Sequence, residues 1–237
     1  MTDTIVSISQ TQAATHTQVA SHTHEQVASV PDSVAPRTTY EDALDSLRSG
    51  PTPSLLVFDC DWTLYPFDCD KHRIGPFSWQ FWHGVVDYYG RPSNSYTDVS
   101  NIFGAIIDSG IPVAFLSRNP SAQHLRQLLS VIPCNTKVDH TKKFLLNAMP
   151  SDSYFHAYSS EGFGKGKDKH FRALRTVSSI PFSDMLFFDD MPDNVSAAEV
   201  QGTTGVLLGR LGLTLEAFTG GLQRWRQRSA PITSGSS

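Results

Sequence analysis

The chain has 237 residues, a net charge of only −4 and a pI near 6.1. That balance gives no basic field to attract nucleic acid or an anionic membrane. No apolar run reaches the roughly 20 residues that span a bilayer, and three cysteines without a CxxC pair point to free thiols in a reducing, cytoplasmic setting.

Residues 1–37 are rich in Thr, Ser, Gln, Ala and His and hold no aromatic residue. With so little to bury, they read as a disordered tail, in which His16, His22 and His24 are solvated. Met1 to Gln10 carries no basic stretch leading into an apolar one, so no secretory signal is expected. Tyr40 to Arg48 reads as a short helix, and Gly50-Pro51-Thr52-Pro53 stops it.

The folded body is expected over residues 38–226. Leu55–Asp59 is an apolar run of strand length, and Tyr65–Gly75 looks irregular. Trp79–Tyr89 is apolar but mixed. Val99, Ile102, Phe103, Ile106 and Ile107 share one face of a helix, with Gly110 where a C-cap belongs. Ile111–Leu116 reads as a second buried strand ending at Ser117. A helix follows from about Ser121 through Ile132, and residues 134–152 give no clear pattern. Tyr154–Tyr158 is a third strand, Gly162–Lys167 a loop, and Asp168–Val177 a helix. Met185–Phe188 is a fourth strand that ends at Asp189-Asp190. Asn194–Val200 is a helix and Gly205–Leu208 a fifth strand. Thr214 is placed to cap a last helix, Leu215–Trp225, which Gly220-Gly221 weakens. Residues 227–237 are expected to be a second disordered tail.

Strand and helix alternate through the body. This predicts a mostly parallel central sheet covered on both faces, a Rossmann-like three-layer α/β/α sandwich. In such a sheet the strand ends share one edge. That edge would gather Asp59 and Asp61, Ser117, Lys167, and Asp189 with Asp190. Clustered carboxylates repel unless a cation intervenes, and a hard, oxygen-seeking dication such as Mg2+ suits them. No His/Cys set accompanies them, which argues against zinc or copper. An ammonium and a hydroxyl beside that cation suit a phosphoryl group, and a carboxylate can attack phosphorus.

Bland alternatives exist for each residue. Asp59 and Asp61 could be turn residues, Ser117 a helix cap, and Asp190 a cap for the following helix. Arg118 could contact substrate or face solvent. Lys165 and Lys169 compete with Lys167, which is favoured by its spacing to His170-Phe171. Gly162–Lys167 does not have P-loop spacing. Trp62, Tyr65, Phe67 and His72 are candidates to line a substrate entrance.

Four stretches together resemble the haloacid dehalogenase (HAD) superfamily, and within it the magnesium-dependent phosphatase-1 group. They are Val57 to Phe67, Ser117-Arg118, Lys167 to Phe171, and Ile180 to Ser183 leading into Phe187-Phe188-Asp189-Asp190 and Asn194. The resemblance covers roughly residues 54–210. It implies a HAD-like fold without a large cap domain and a Mg2+-dependent phosphomonoester hydrolase. Asp59 is then the nucleophile and a metal ligand, and Asp61 the general acid and base, with its backbone carbonyl on the metal. Thr63 orients Asp61 or the flap. Thr63, Ser117, Arg118 and Lys167 form the phosphate-binding set. Asp189 ligates the metal, and Asp190 and Asn194 support the metal shell or Lys167. Trp62 stands where related sequences often have Tyr. The implied partner is a phosphorylated substrate, either a phosphoprotein such as phosphotyrosine or a small metabolite. A phosphosugar phosphatase, a phosphotransferase and a catalytically silent binding protein remain alternatives.

Overall fold

The structure, a computed structural model, describes residues 39–138, 141–158 and 166–230. The expected tail over residues 1–37 lies outside that range, as do residues 231–237 of the expected tail over 227–237 and residues 159–165 of the glycine- and lysine-bearing loop.

In chain order the elements are α1 (Thr39–Arg48), β1 (Leu55–Phe58), α2 (Cys69–His72), β2 (Ser78–Gln80), β3 (Gly84–Val86) and α3 (Val99–Ser109). Then come β4 (Val113–Ser117), α4 (Ala122–Leu129), β5 (Pro133–Cys134), β6 (Lys143–Phe144), β7 (Phe155–Ala157) and α5 (Asp168–Ser178). The chain closes with β8 (Met185–Asp189), α6 (Pro192–Val200), β9 (Thr204–Leu207) and α7 (Leu215–Ser229).

The central sheet has five strands in the order β7-β4-β1-β8-β9, and each neighbouring pair is parallel. Alternation along the strands feeds two cores. Leu56 and Phe58 of β1, Val113 and Phe115 of β4, and Leu186 and Phe188 of β8 join one core with α1, α3, α4 and α7. Leu55 and Val57, Ala114 and Leu116, and Met185 and Phe187 join the other, against Phe171 and Leu174 of α5 and Ala198 of α6. Strands covered on both faces read as continuous apolar runs, which is why they were legible. The three-layer α/β/α reading holds.

Several boundaries move. Pro112 lies before β4, where its carbonyl accepts from Leu56 N at 3.1 Å. Tyr154 falls in a 3-10 turn, Asp152–Tyr154, ahead of β7. Helix α6 begins at Pro192 rather than Asn194, because proline's fixed φ and missing N–H suit a first helical turn. Helix α7 runs on to Ser229, so the folded body extends past the expected end at residue 226. Gly110 takes the left-handed C-cap of α3 at φ 70°.

The segment between Asp59 and Ser117 holds α2, an antiparallel β2–β3 hairpin and α3, with no large inserted cap. The mixed pattern of Trp79–Tyr89 follows from the hairpin: β2 is exposed throughout, while Val85 and Val86 of β3 are buried. Among the described residues, 134–152 contain only the end of the two-residue β5, the two-residue β6 and 3-10 turns, too short to leave a periodic signal.

Candidate active site

β1 sits in the middle of the sheet. The chain builds outward to β4 and β7 on one side and to β8 and β9 on the other. The carboxyl end of β1 is therefore the switch point where open parallel sheets hold their ligands. Asp59 follows β1 directly, and its backbone N–H donates to Phe188 O at 3.0 Å. Behind it the chain turns sharply, with Thr63 N and Leu64 N both donating to Cys60 O. Trp62 takes a left-handed φ of 60° in this turn. Above the edge lies a cleft of about 600 Å3, whose lining includes Asp59, Asp61, Ser117, Arg118, Asp190 and Asn194.

Lys167 lies at the start of α5 and is fully buried. Its ammonium bridges Asp59 Oδ1 and, at 2.6 Å, Asp189 Oδ2. Lys169, by contrast, is exposed; Lys165 lies outside the described residues. Burial alone would push the Lys167 ammonium toward neutrality, but Asp189 and Asp59 outweigh it and raise its pKa. Burial raises the Asp59 carboxyl well above its usual range, with Lys167 opposing and Asp189 adding to the rise. Asp189 also receives both Asn194 Nδ2 contacts at 3.0 Å and the Met191 N–H at 2.8 Å.

Asp59, Asp189 and Asp190 offer carboxylate oxygens within 4.8 Å of one another. Burial and then Asp189 raise the Asp190 carboxyl to about 6. Asn194 Oδ1 is a buried acceptor that has no hydrogen-bond partner among the described residues. An all-oxygen set with a spare buried acceptor fits a hard divalent cation.

The Asp61 carboxylate is directed elsewhere, and so the side chain is not part of that set. Its Oδ1 accepts from Tyr65 Oη at 2.8 Å and Cys69 N at 3.0 Å, and its Oδ2 from Asn119 Nδ2 at 2.7 Å. Burial raises its pKa, while Asn119, Tyr65 and the Cys69 amide hold the rise back. A carboxyl balanced in this way can both give and take a proton. Asp61 also groups with Asp68 and Asp70, and Asn119 Nδ2 donates to Asp70 Oδ1 at 3.1 Å.

Two expected roles change. Thr63 is fully buried, and its hydroxyl donates to Asp59 Oδ2 at 3.3 Å. It therefore steadies Asp59 from below rather than orienting Asp61 or touching phosphate. Tyr65 and Phe67 are buried and stacked on each other, not at an entrance. Trp62 does line the cleft, with His72 edge-on against its indole.

Ser117 ends β4, and its hydroxyl accepts from Asn119 N at 3.1 Å. Arg118 is exposed on the cleft wall and makes no ion pair with a described residue. His170 Nε2 lies 2.9 Å from Ser117 O and 3.1 Å from Tyr158 O, with its ring stacked on Tyr158. Asn119 was not singled out from the sequence, and His170 served there only as a spacing landmark for Lys167. The available signal for Asn119 was its place just past a buried strand, at the same edge as Ser117.

A parallel sheet with three carboxylates and a buried lysine at its switch point defines a phosphoryl-group site. The acid phosphatase family profile matches residues 51–228, and the chain belongs to that family; it is a phosphatase. Its relatives include magnesium-dependent phosphatase 1 of Homo sapiens, 28% identical over 183 residues, which are 77% of this chain and 93% of that protein. A HAD-like hydrolase superfamily protein of Schizosaccharomyces pombe is 28% identical over 144 residues, 60% of this chain and 78% of that one. Among solved structures, the N-terminal part of a Bacteroides fragilis protein containing a phosphatase domain, in complex with Mg, aligns with a TM-score of 0.42 at 15% identity, covering 78% of this chain and 42% of that one. A putative 3-deoxy-D-manno-octulosonate 8-phosphate phosphatase from Vibrio cholerae aligns with a TM-score of 0.39 at 12% identity, covering 80% and 88%.

Proposed function

We propose that the chain is a Mg2+-dependent phosphomonoester hydrolase that works through an aspartyl-phosphate on Asp59. The observation that carries this reading is the buried Lys167 ammonium between Asp59 and Asp189, two residues from a separately held Asp61. Asp59, Asp189 and Asp190 would hold Mg2+, with Asn194 beside them. When bound, the ion neutralises phosphoryl oxygens and the crowded carboxylates.

Lys167 and the Ser117 hydroxyl hold the phosphoryl group, and Arg118 adds positive charge at the cleft mouth. A carboxylate oxygen of Asp59 attacks phosphorus. The new Asp59 O–P bond forms as the ester P–O bond breaks, and Asp61 gives its proton to the leaving oxygen. Asp61, now ionised, takes a proton from a water as that water attacks the aspartyl-phosphate. Phosphate leaves and Asp59 is regenerated.

The partner is a phosphorylated substrate, either a phosphoprotein such as phosphotyrosine or a small phosphorylated metabolite, rather than nucleic acid or membrane. Among the described residues no helix is long and apolar enough to cross a membrane. Three buried free thiols support a cytoplasmic setting.

Hydrolysis of p-nitrophenyl phosphate tests the mechanism. Turnover should require Mg2+, stop with EDTA, and fall by about 10^3-fold or more in Asp59→Asn, the scale for removing a nucleophile. Undiminished turnover in Asp59→Asn would sink the aspartyl-phosphate.

A further inference from the structure

The space beside the catalytic carboxylates does not end at Trp62. Beyond it lies a second cavity of about 580 Å3, bounded by Trp62, Tyr96, Asp190, Leu208, Gly209 and Arg210. Trp62 and Asp190 line both spaces, so they form a shared wall. Arg210 lines only the second. The reaction described above uses nothing in this second cavity.

Its walls are fastened to the catalytic turn. Tyr96 N donates to Leu64 O at 3.0 Å, Leu213 N to Thr63 O at 2.9 Å, and Leu208 N to Asp189 O at 2.9 Å. Tyr96 Oη donates to Arg210 O at 3.3 Å. Gly212 has a φ of +60°, and a Cβ there would fall 2.2 Å from the Tyr96 ring. The phenol thus packs directly against Gly212, where a larger residue would collide with it. Trp62 is held at a left-handed φ with its side chain 40% exposed. A backbone of that kind is strained and persists where the surroundings enforce it. Here the strained turn places a large indole at the junction of two cavities.

The chemistry of the lining is specific. Indole and phenol offer flat apolar contact to a ring. The Arg210 guanidinium is exposed and makes no ion pair with a described residue. Guanidinium matches the plane of a carboxylate. Asp190 faces the shared wall, so an anion is disfavoured there and favoured toward Arg210.

We propose that this second cavity is the leaving-group subsite, and that it selects aromatic phosphate esters bearing a carboxylate remote from the ester oxygen. The inference rests on the phosphatase reading above. Trp62 and Tyr96 take the ring and Arg210 takes the carboxylate.

The test compares phenyl phosphate, 4-carboxyphenyl phosphate and ethyl phosphate. Equilibrium binding is measured on the full chain carrying Asp59→Asn, and turnover on the unaltered chain. The carboxylated ester should bind about tenfold more tightly than phenyl phosphate, the scale of one charge-assisted contact. In Arg210→Gln that ratio should fall to about twofold or less on the same basis. In Trp62→Leu both aryl esters should lose affinity relative to ethyl phosphate. Equal binding of the two aryl esters, or a ratio that survives Arg210→Gln, overturns the subsite even if all three esters are hydrolysed. Selective binding lost in Arg210→Gln upholds the subsite even if none is, and that second result would overturn the proposed hydrolysis through Asp59 instead.

Discussion

Asp61 shows how single contacts set a proton donor. Three donors hold its carboxylate, and two of them come from its own turn and α2. The third, Asn119, reaches it from the far side of the cleft and joins it to Asp70 and Ser117. An amide donating to a carboxylate favours the ionised form, so removing it raises the carboxyl's pKa further. In Asn119→Ala, kcat should drop about tenfold, the cost of one hydrogen bond to a charged group. The alkaline limb of the pH–kcat profile should move to higher pH, because Asp61 stays protonated longer; an unmoved limb would reduce Asn119 to a structural role. Lys167 is different in kind, since it is buried between two carboxylates. Lys167→Ala leaves those charges unpaired and should cost on the order of 3–5 kcal/mol. Thermal melts should show a smaller loss in Mg2+ than in EDTA, because a cation bound only by the native state restores part of the missing charge. Equal losses in both would remove Asp59 and Asp189 from the metal set.

At the scale of elements, α7 makes its own test. Thr214 caps it by accepting from Ala217 N at 3.1 Å, as its position before the helix predicts. The adjacent Gly220 and Gly221 look alike in the sequence but differ in place. A Cβ on Gly220 meets nothing within 4 Å, whereas one on Gly221 falls 2.9 Å from both Phe188 Cε1 and Val206 Cγ2. Gly221 thus lets α7 lie close on β8 and β9, and the tight fit offsets its weak helix propensity. Gly220→Ala should stabilise by up to about 1 kcal/mol through propensity alone. Gly221→Ala should destabilise by about 1–3 kcal/mol through overpacking. Urea denaturation of the two variants measures both signs, and a matching pair of shifts would disprove the close approach.

At the scale of the whole molecule, His170 of α5 ties together the carboxyl ends of the neighbouring strands β4 and β7. Its Nε2 donates toward the carbonyls of Ser117 and Tyr158, which leaves Nδ1 buried without a partner among the described residues. Burial first, and then the Lys167 charge, lowers its pKa to about 4; His156 adds a smaller push in the same direction. The unfolded chain takes up that proton near the ordinary histidine value of about 6.5. Stability from this group is therefore complete above pH 6.5 and is lost as pH falls toward about 4. The melting temperature should decline across that window, and His170→Gln should flatten the decline; an unchanged slope in the variant would assign the loss to other groups. The same edge explains the open site, because only α2, a hairpin and α3 are inserted between Asp59 and Ser117.

The sequence by itself determined the layered α/β class, the five main strands and the residues at their carboxyl ends. Strands buried on both faces leave unbroken apolar runs, and polar residues at their ends stand out against them. It also favoured Lys167, which lies fully buried beside Asp59 and Asp189. Only the tertiary structure decided which carboxylates lie close enough together to hold a cation, since Asp61 turns to Asn119 while Asp190 joins Asp59 and Asp189. It alone moved Thr63 beneath Asp59 and showed Trp62 dividing two cavities. Those facts depend on side-chain direction and on contacts between distant parts of the chain, and neither leaves a period or a local motif to read.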